Sequence, residues 1–163
     1  MSQKATGSSA GVKALEFAKK HFNGHTYKLG YDPDKKTIDC SNLVHQAFKG
    51  VGSNFKYRTT DPKNWENDDF KKVDAKNVQP GDVVLFNGHL GIVQSFNSAT
   101  GAGEFMGSQT STGPKVAKFS TNNPKVYWGN PDGKAVKGFY RFNELNRSAS
   151  SSSSTSTQAS MSP

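Results

Sequence analysis

Apolar residues recur at two periods along this chain, and the change of period divides it into a helical part and a sheet part. Val12, Leu15, Ala18 and Phe22 fall three or four residues apart, the spacing of one helix face, and predict a first helix from about Ala10 to His21. Ser9 stands where its side chain can cap that helix, and Asn23-Gly24 ends it. Leu43, Val44, Ala47 and Phe48 predict a second, short and buried helix that begins at Cys40 and stops at Gly50. Between them, Tyr27 to Gly30 reads as a short extended piece, and Tyr31-Asp32-Pro33-Asp34-Lys35-Lys36 as a loop. The pattern is weak from Val51 to Asn77. Asp61-Pro62 is a cap and first-turn pair that predicts a short helix to about Trp65, and Trp65 and Phe70 are expected to pack on the domain.

The period then shortens. Gln79-Pro80-Gly81-Asp82 is a tight turn before Val83-Val84-Leu85-Phe86, a continuous apolar run typical of a buried strand. Asn87-Gly88 is a hairpin dipeptide, and His89 to Phe96 is the return strand. Strict alternation puts His89, Gly91, Val93 and Ser95 on one face, and Leu90, Ile92, Gln94 and Phe96 on the other. Glu104 to Gly107, Val116 to Phe119, Val126 to Trp128 and Gly138 to Phe142 are later strands, with Ser108 to Gly113 read as loop. Helices first and an antiparallel meander after them predict an α+β fold with the helices on one face of the sheet.

Composition narrows this picture at the ends. Residues 1–9 are rich in Ser, Gly and Lys, and residues 147–163 are a Ser/Thr tail; both are expected to be disordered, leaving one domain over 10–146. Mean hydropathy is −0.73, partly through dilution by these ends. The net charge of +8 points to an anionic surrounding such as nucleic acid, a membrane surface or a wall polymer. The lysines are scattered, with no arginine-rich run or aromatic-basic signature, so nucleic acid is not expected as a partner. No stretch reaches the length of a membrane span, and Met1 to Gly11 lacks the apolar core of a signal peptide. The chain is therefore expected either to work in the cytoplasm or to leave the cell by a route that needs no such signal.

Chemistry concentrates at Cys40, the sole cysteine, which excludes an internal disulfide and a cysteine-rich zinc site. Of the four histidines only His21 and His25 have ligand-like spacing, and the helix ends between them, so no metal or cofactor is expected. A thiol in the first turn of a helix meets unpaired N–H groups and the positive end of the dipole, both of which lower its pKa. The competing assignment is a small buried core cysteine. A thiolate nucleophile needs a base, and His89 starts an inner strand at a sheet end that a helix N-terminus can approach.

Three blocks in order, Asp39-Cys40-Ser41-Asn42-Leu43-Val44, Gln79-Pro80-Gly81-Asp82-Val83-Val84-Leu85-Phe86 and His89-Leu90-Gly91-Ile92, resemble the signatures of the NlpC family of bacterial cell-wall cysteine peptidases. Tyr27 and Gly30 resemble its Tyr-x-x-Gly block, and the likeness runs from about Tyr27 to Gly113. The resemblance implies a papain-like α+β domain that hydrolyses an amide in peptidoglycan stem peptides. Cys40 would attack, His89 would move the proton, and the Cys40 N–H with the Tyr27 hydroxyl would receive the oxyanion. Ser41 would bind substrate or cap the helix. Asp39 would oppose thiolate formation by its charge. Two departures stand out: Asn42 replaces the family's Gly, and the third catalytic position, usually His, falls on Gly107. Gln109, two residues on and on the same strand face, can accept from the histidine ring; Glu104 is the competitor, and a one-residue slip would put Met106 there.

The resulting expectation is a monomeric peptidoglycan endopeptidase acting at the cell wall or periplasm, exported without a signal peptide as an antibacterial effector, with a cognate immunity protein if it is a toxin. The alternatives are a phage-type lysin, a Cys–His acyltransferase or deamidase with a non-wall substrate, and a non-enzymatic basic binding module.

Overall fold

The computed structural model describes residues 9–53, 55–57, 59, 61–65, 69–122 and 135–143. The expected strand Val126–Trp128, residues 1–8 of the expected disordered N-terminus and the expected tail 147–163 lie outside the described residues, whereas Ser9, counted with that terminus, is the cap of the first helix. Helix α1 spans Ala10–His21, with the Ser9 hydroxyl accepting from the Val12 N–H at 3.1 Å. Its buried side is Ala10, Gly11, Ala14, Leu15 and Ala18, with Val12 half-buried at the edge of the stripe. Strands β1 (Tyr31–Asp32) and β2 (Thr37–Ile38) pair as a small hairpin where a plain loop was expected. Asp32 Oδ1 makes that turn, accepting from the N–H groups of Asp34 and Lys35 at 3.0 and 3.2 Å. Helix α2 spans Cys40–Gly50 and buries the predicted stripe together with Cys40 and Ser41.

A single 3-10 turn, Pro62–Trp65, precedes β3 (Phe70–Val73), and another, Ala75–Asn77, follows it. Then come β4 (Val83–Phe86), β5 (His89–Asn97), β6 (Ala102–Gln109), β7 (Gly113–Ser120) and β8 (Val136–Phe142). All neighbours are antiparallel, in the order β3-β8-β4-β5-β6-β7. The sheet is thus not a simple meander: β8 inserts between β3 and β4. Its sequence suits an interior position, though it does not select the neighbours, because Tyr140 and Phe142 are buried against the helices while Phe139 is buried on the opposite face. A strand with large apolar groups on both faces belongs inside a sheet.

That opposite face carries its own core of Val84, Phe86, Val93, Phe105, Phe119 and Phe139. Phe119 on β7 lies 6.2 Å from Phe139 on β8, although four strand spacings separate them, about 19 Å in a flat sheet. The sheet therefore coils strongly and covers its second face with itself. A bulge between Val93 and Ser95 breaks the alternation of β5. Phe96 consequently packs with Val93 in the second core, opposite to the face that strict alternation assigns.

Two contacts lock the helical layer and β8 to the 79–82 turn. The first turn of α1 lies so close that a Cβ on Gly11 would stand 2.3 Å from the Gly81 carbonyl oxygen, and Gly81 itself has φ +96°. Arg141 on β8 donates from Nε and Nη2 to the two carboxylate oxygens of buried Asp82, at 2.8 and 2.9 Å. Burial pushes the Asp82 carboxyl up, and the guanidinium opposes that shift.

Candidate active site

Helix α2 begins at Cys40 because Asp39 caps it. Asp39 Oδ1 accepts from the Asn42 N–H at 2.8 Å and from Asn42 Nδ2 at 2.9 Å. Oδ2 of the same carboxylate accepts from the Gly30 N–H at 2.8 Å, and the Asp39 N–H donates to the Gly30 carbonyl at 3.0 Å. Gly30 (φ +90°) thus ties the Tyr27–Gly30 segment to the head of α2. Capping falls to Asp39 and not to Ser41, whose hydroxyl instead meets the Tyr57 hydroxyl and, at 3.4 Å, Asp39 Oδ1. Asn42 finds use as an extra donor to the cap.

Cys40 is 8% exposed. The N–H groups of Leu90, Ser41 and Cys40 itself favour its thiolate, as a helix start should. Burial, and after it the Asp39 charge, oppose them and win: the thiol is pushed up to about 11. The expected depression of this pKa is therefore reversed, since a helix N-terminus offers partial charges while burial removes the water that would solvate a whole one. The Leu90 contact also sets the sulfur at the head of β5, at the residue that follows His89 in the strand.

His89, buried, stacks on Phe86 at 6.0 Å and 24° and meets Phe105 edge-on at 5.8 Å. Its Nε2 lies 3.2 Å from Gln109 Oε1. The orientation of that amide follows from its other end, where Nε2 donates to the Lys115 carbonyl at 3.2 Å and to Thr112 Oγ1 at 3.5 Å. Only an NH₂ can face a carbonyl, so Oε1 faces the histidine and can only accept. In the neutral ring Nε2 then carries the hydrogen and Nδ1 the lone pair. Glu104 is engaged elsewhere, accepting from Gln94 Nε2 at 3.3 Å. Ser108 and Gln109 are strand and not loop, so the parity that carries Gln109 to the face of residue 107 holds. A Cβ on Gly107 would lie 2.7 Å from Gln109 Oε1. The longer side chain at 109 thus folds back over the gap that the glycine leaves.

Tyr27 is half-buried. Burial first, and then the negative charge of Cys40, Asp39 and Tyr57, push its phenol up, so it stays protonated and can donate. The sequence offered no signal for Tyr57, which comes from an irregular segment yet contributes a hydroxyl to Ser41 and an edge-on ring to His45 at 5.7 Å. Among the described residues, no group of three His, Cys, Asp or Glu converges to hold a metal ion.

The pattern of the NlpC/P60 family matches residues 24–130, which include Tyr27, Cys40, His89 and Gln109. The chain belongs to the NlpC/P60 family. Membership supports a cell-wall peptidase-type function in general terms, in a family of cysteine peptidases and amidases. A lipoprotein-like NLP/P60 family protein from Staphylococcus aureus subsp. aureus Mu50 has the same fold, with TM-score 0.56 and 15% identity over 83% of this chain and 42% of that one. The chain thus spans about two-fifths of that protein's length. The P60 domain of an M. avium subspecies paratuberculosis antigen aligns with TM-score 0.47 and 16% identity, over 82% of this chain and 97% of that one. No curated protein matches the chain. Among the described residues of this NlpC/P60 chain, no helix is long and apolar enough to cross a membrane.

Proposed function

We propose that the protein is a peptidoglycan hydrolase that cleaves an amide bond in cell-wall stem peptides, with Cys40 as nucleophile, His89 as base and acid, and Gln109 as the residue that orients His89. The hydrogen bond from His89 Nε2 to Gln109 carries this reading. It puts the ring hydrogen on Nε2 and the lone pair on Nδ1, the nitrogen that would take the thiol proton, and Leu90, the residue after His89, sits at the Cys40 sulfur. With the thiol held at about 11, the resting nucleophile is protonated. Attack then proceeds with proton transfer: the sulfur bonds to the scissile carbonyl carbon as Nδ1 takes the thiol hydrogen. The developing oxyanion receives the Cys40 N–H and the Tyr27 hydroxyl, a donor because its phenol stays protonated. His89 returns the proton to the leaving amine, and water hydrolyses the thioester by the same base.

Both Asp39 oxygens are committed, Oδ1 to α2 and Oδ2 to Gly30, and the residue acts by holding the two together. The exposed Tyr57, whose hydroxyl meets that of buried Ser41, would be the group that meets the peptide. The net charge of +8 supports an anionic wall as surroundings. The test is digestion of purified peptidoglycan with mass spectrometry of the products. Cys40→Ala and His89→Ala should each abolish cleavage while the fold persists; full activity in either variant overturns the mechanism.

A further inference from the structure

A cavity of about 500 Å³ opens on the helical side between the C-terminal turns of α1 and α2 and the β1–β2 hairpin. Ten residues of helix at 1.5 Å each put it about 15 Å along α2 from Cys40. Its walls combine three chemistries. Phe17, Phe22 and Tyr31 supply rings, Phe17 stacked on His21 at 4.1 Å and Phe22 edge-on to Tyr31 at 6.2 Å. Lys36 and Lys49 supply cations, and no acidic side chain lines the cavity. Asp32, on the same hairpin, is turned into its own loop. Gln46 adds an amide.

Two details define the walls. His25 also lines the cavity, and its Nδ1 is shielded from water with no hydrogen-bond partner among the described residues. Burial and the Lys36 charge lower its pKa and favour the uncharged ring, so the cavity's positive charge comes from the lysines. The other detail is Gly50, where a Cβ would come within 2.3 Å of the Phe17 ring. The glycine lets that ring lie flat against the end of α2 and form the floor.

We infer that this cavity binds an acetamido sugar carrying an anionic group, separately from the site around Cys40. Tyr31, the exposed ring of the three, can take the polarised C–H face of a pyranose, the lysines match a carboxylate or phosphate, and Gln46 matches an acetamido group. The volume lies in the range of small-ligand sites. The inference rests on the wall-peptidase reading for the source of the sugar, either glycan stripped of its peptide (carboxylate) or a phosphate-bearing wall polymer. The site would hold the enzyme on the glycan while Cys40 works on peptides.

The test is a titration of the ¹⁵N-labelled protein with N-acetylmuramic acid, N-acetylglucosamine 1-phosphate and neutral N-acetylglucosamine, followed by amide shifts. Shifts should cluster at residues lining the cavity, and one anionic sugar should bind about tenfold tighter than the neutral one, naming the source. Tyr31→Ala should weaken all three sugars. Lys36→Asn with Lys49→Ala should erase the anionic preference alone, asparagine being chosen because residue 36 has φ 56°. Shifts elsewhere only, no shifts, or equal binding of the neutral sugar overturn the inference. Isolated sugars contain no scissile peptide, so a protein that binds them but digests nothing refutes the catalytic reading alone. One that digests but shows no cavity shifts refutes this inference alone.

Discussion

The state of the resting thiol can be tested directly, because Cys40 is the only cysteine and any thiol label reports it alone. Its pKa of about 11 stands two units above the ordinary 9.0. At pH 7.5 an ordinary thiol is about 3% thiolate and Cys40 about 0.03%, so alkylation should be roughly 100-fold slower than for a free thiol, before burial slows it further. The rate of iodoacetamide labelling, followed by intact mass from neutral to alkaline pH, should climb until about pH 11. A second readout follows from linkage. The folded pKa lies above the unfolded one, so the native state holds this proton more tightly. The associated stability is complete below about pH 9 and lost as pH rises through 11, about 3 kcal/mol in all for two units. Other alkaline groups are common to wild type and Cys40→Ala, so the difference between their denaturation curves should fall by that amount across this window. Fast labelling that is flat from about pH 5 to 8 and collapses in His89→Ala would reveal a preformed thiolate–imidazolium pair and refute the argument.

Three further outcomes are expected. Gln109→Ala should lower kcat roughly 10- to 100-fold with KM little changed, and alter the acid limb of the pH–rate profile, because it frees the His89 ring rather than removing it. Gly107→Ala should cost activity through Gln109, since its Cβ would stand 2.7 Å from Oε1; the double variant should be no worse than Gln109→Ala alone, as steady-state kinetics would show. Arg141→Leu should destabilise the fold by about 2–4 kcal/mol in urea denaturation, below the full range for a buried pair because Arg141 is 33% exposed, and Asp82→Asn added to it should recover part of the loss.

Much of the arrangement was legible where local physics and tertiary structure agree. Both helices begin and end where period, caps and Gly50 place them, and Asn87-Gly88 makes the predicted hairpin. Strand parity was enough to carry Gln109 to His89 across the gap at Gly107. What was not legible depends on partners distant in sequence. β3 hides because Lys71 and Lys72 lie exposed between buried Phe70 and Val73, a pattern with no period of two. The insertion of β8 is a choice among sheet edges, and nothing within Val136–Phe142 names its neighbours. The bulge in β5 moves Phe96 to the other face without any Gly or Pro to announce it. At the thiol, the helix start was visible but the depth of burial was not, and burial decides the pKa. Tyr57 reaches Ser41 from a segment whose course no pattern describes.

The place of β8 also bears on how the protein comes to exist. β3 joins the sheet only through β8, in a register that pairs Phe70 with Phe142, so roughly 70 residues of chain must close before those hydrogen bonds form. Until then β4 presents an open edge in the middle of what will be the sheet. Contacts of such long range slow folding towards the millisecond-to-second regime of β-rich domains. The strands around the thiol should thus spend their early life as an adhesive, half-finished surface, and crowding or delay should favour clumping over catalysis.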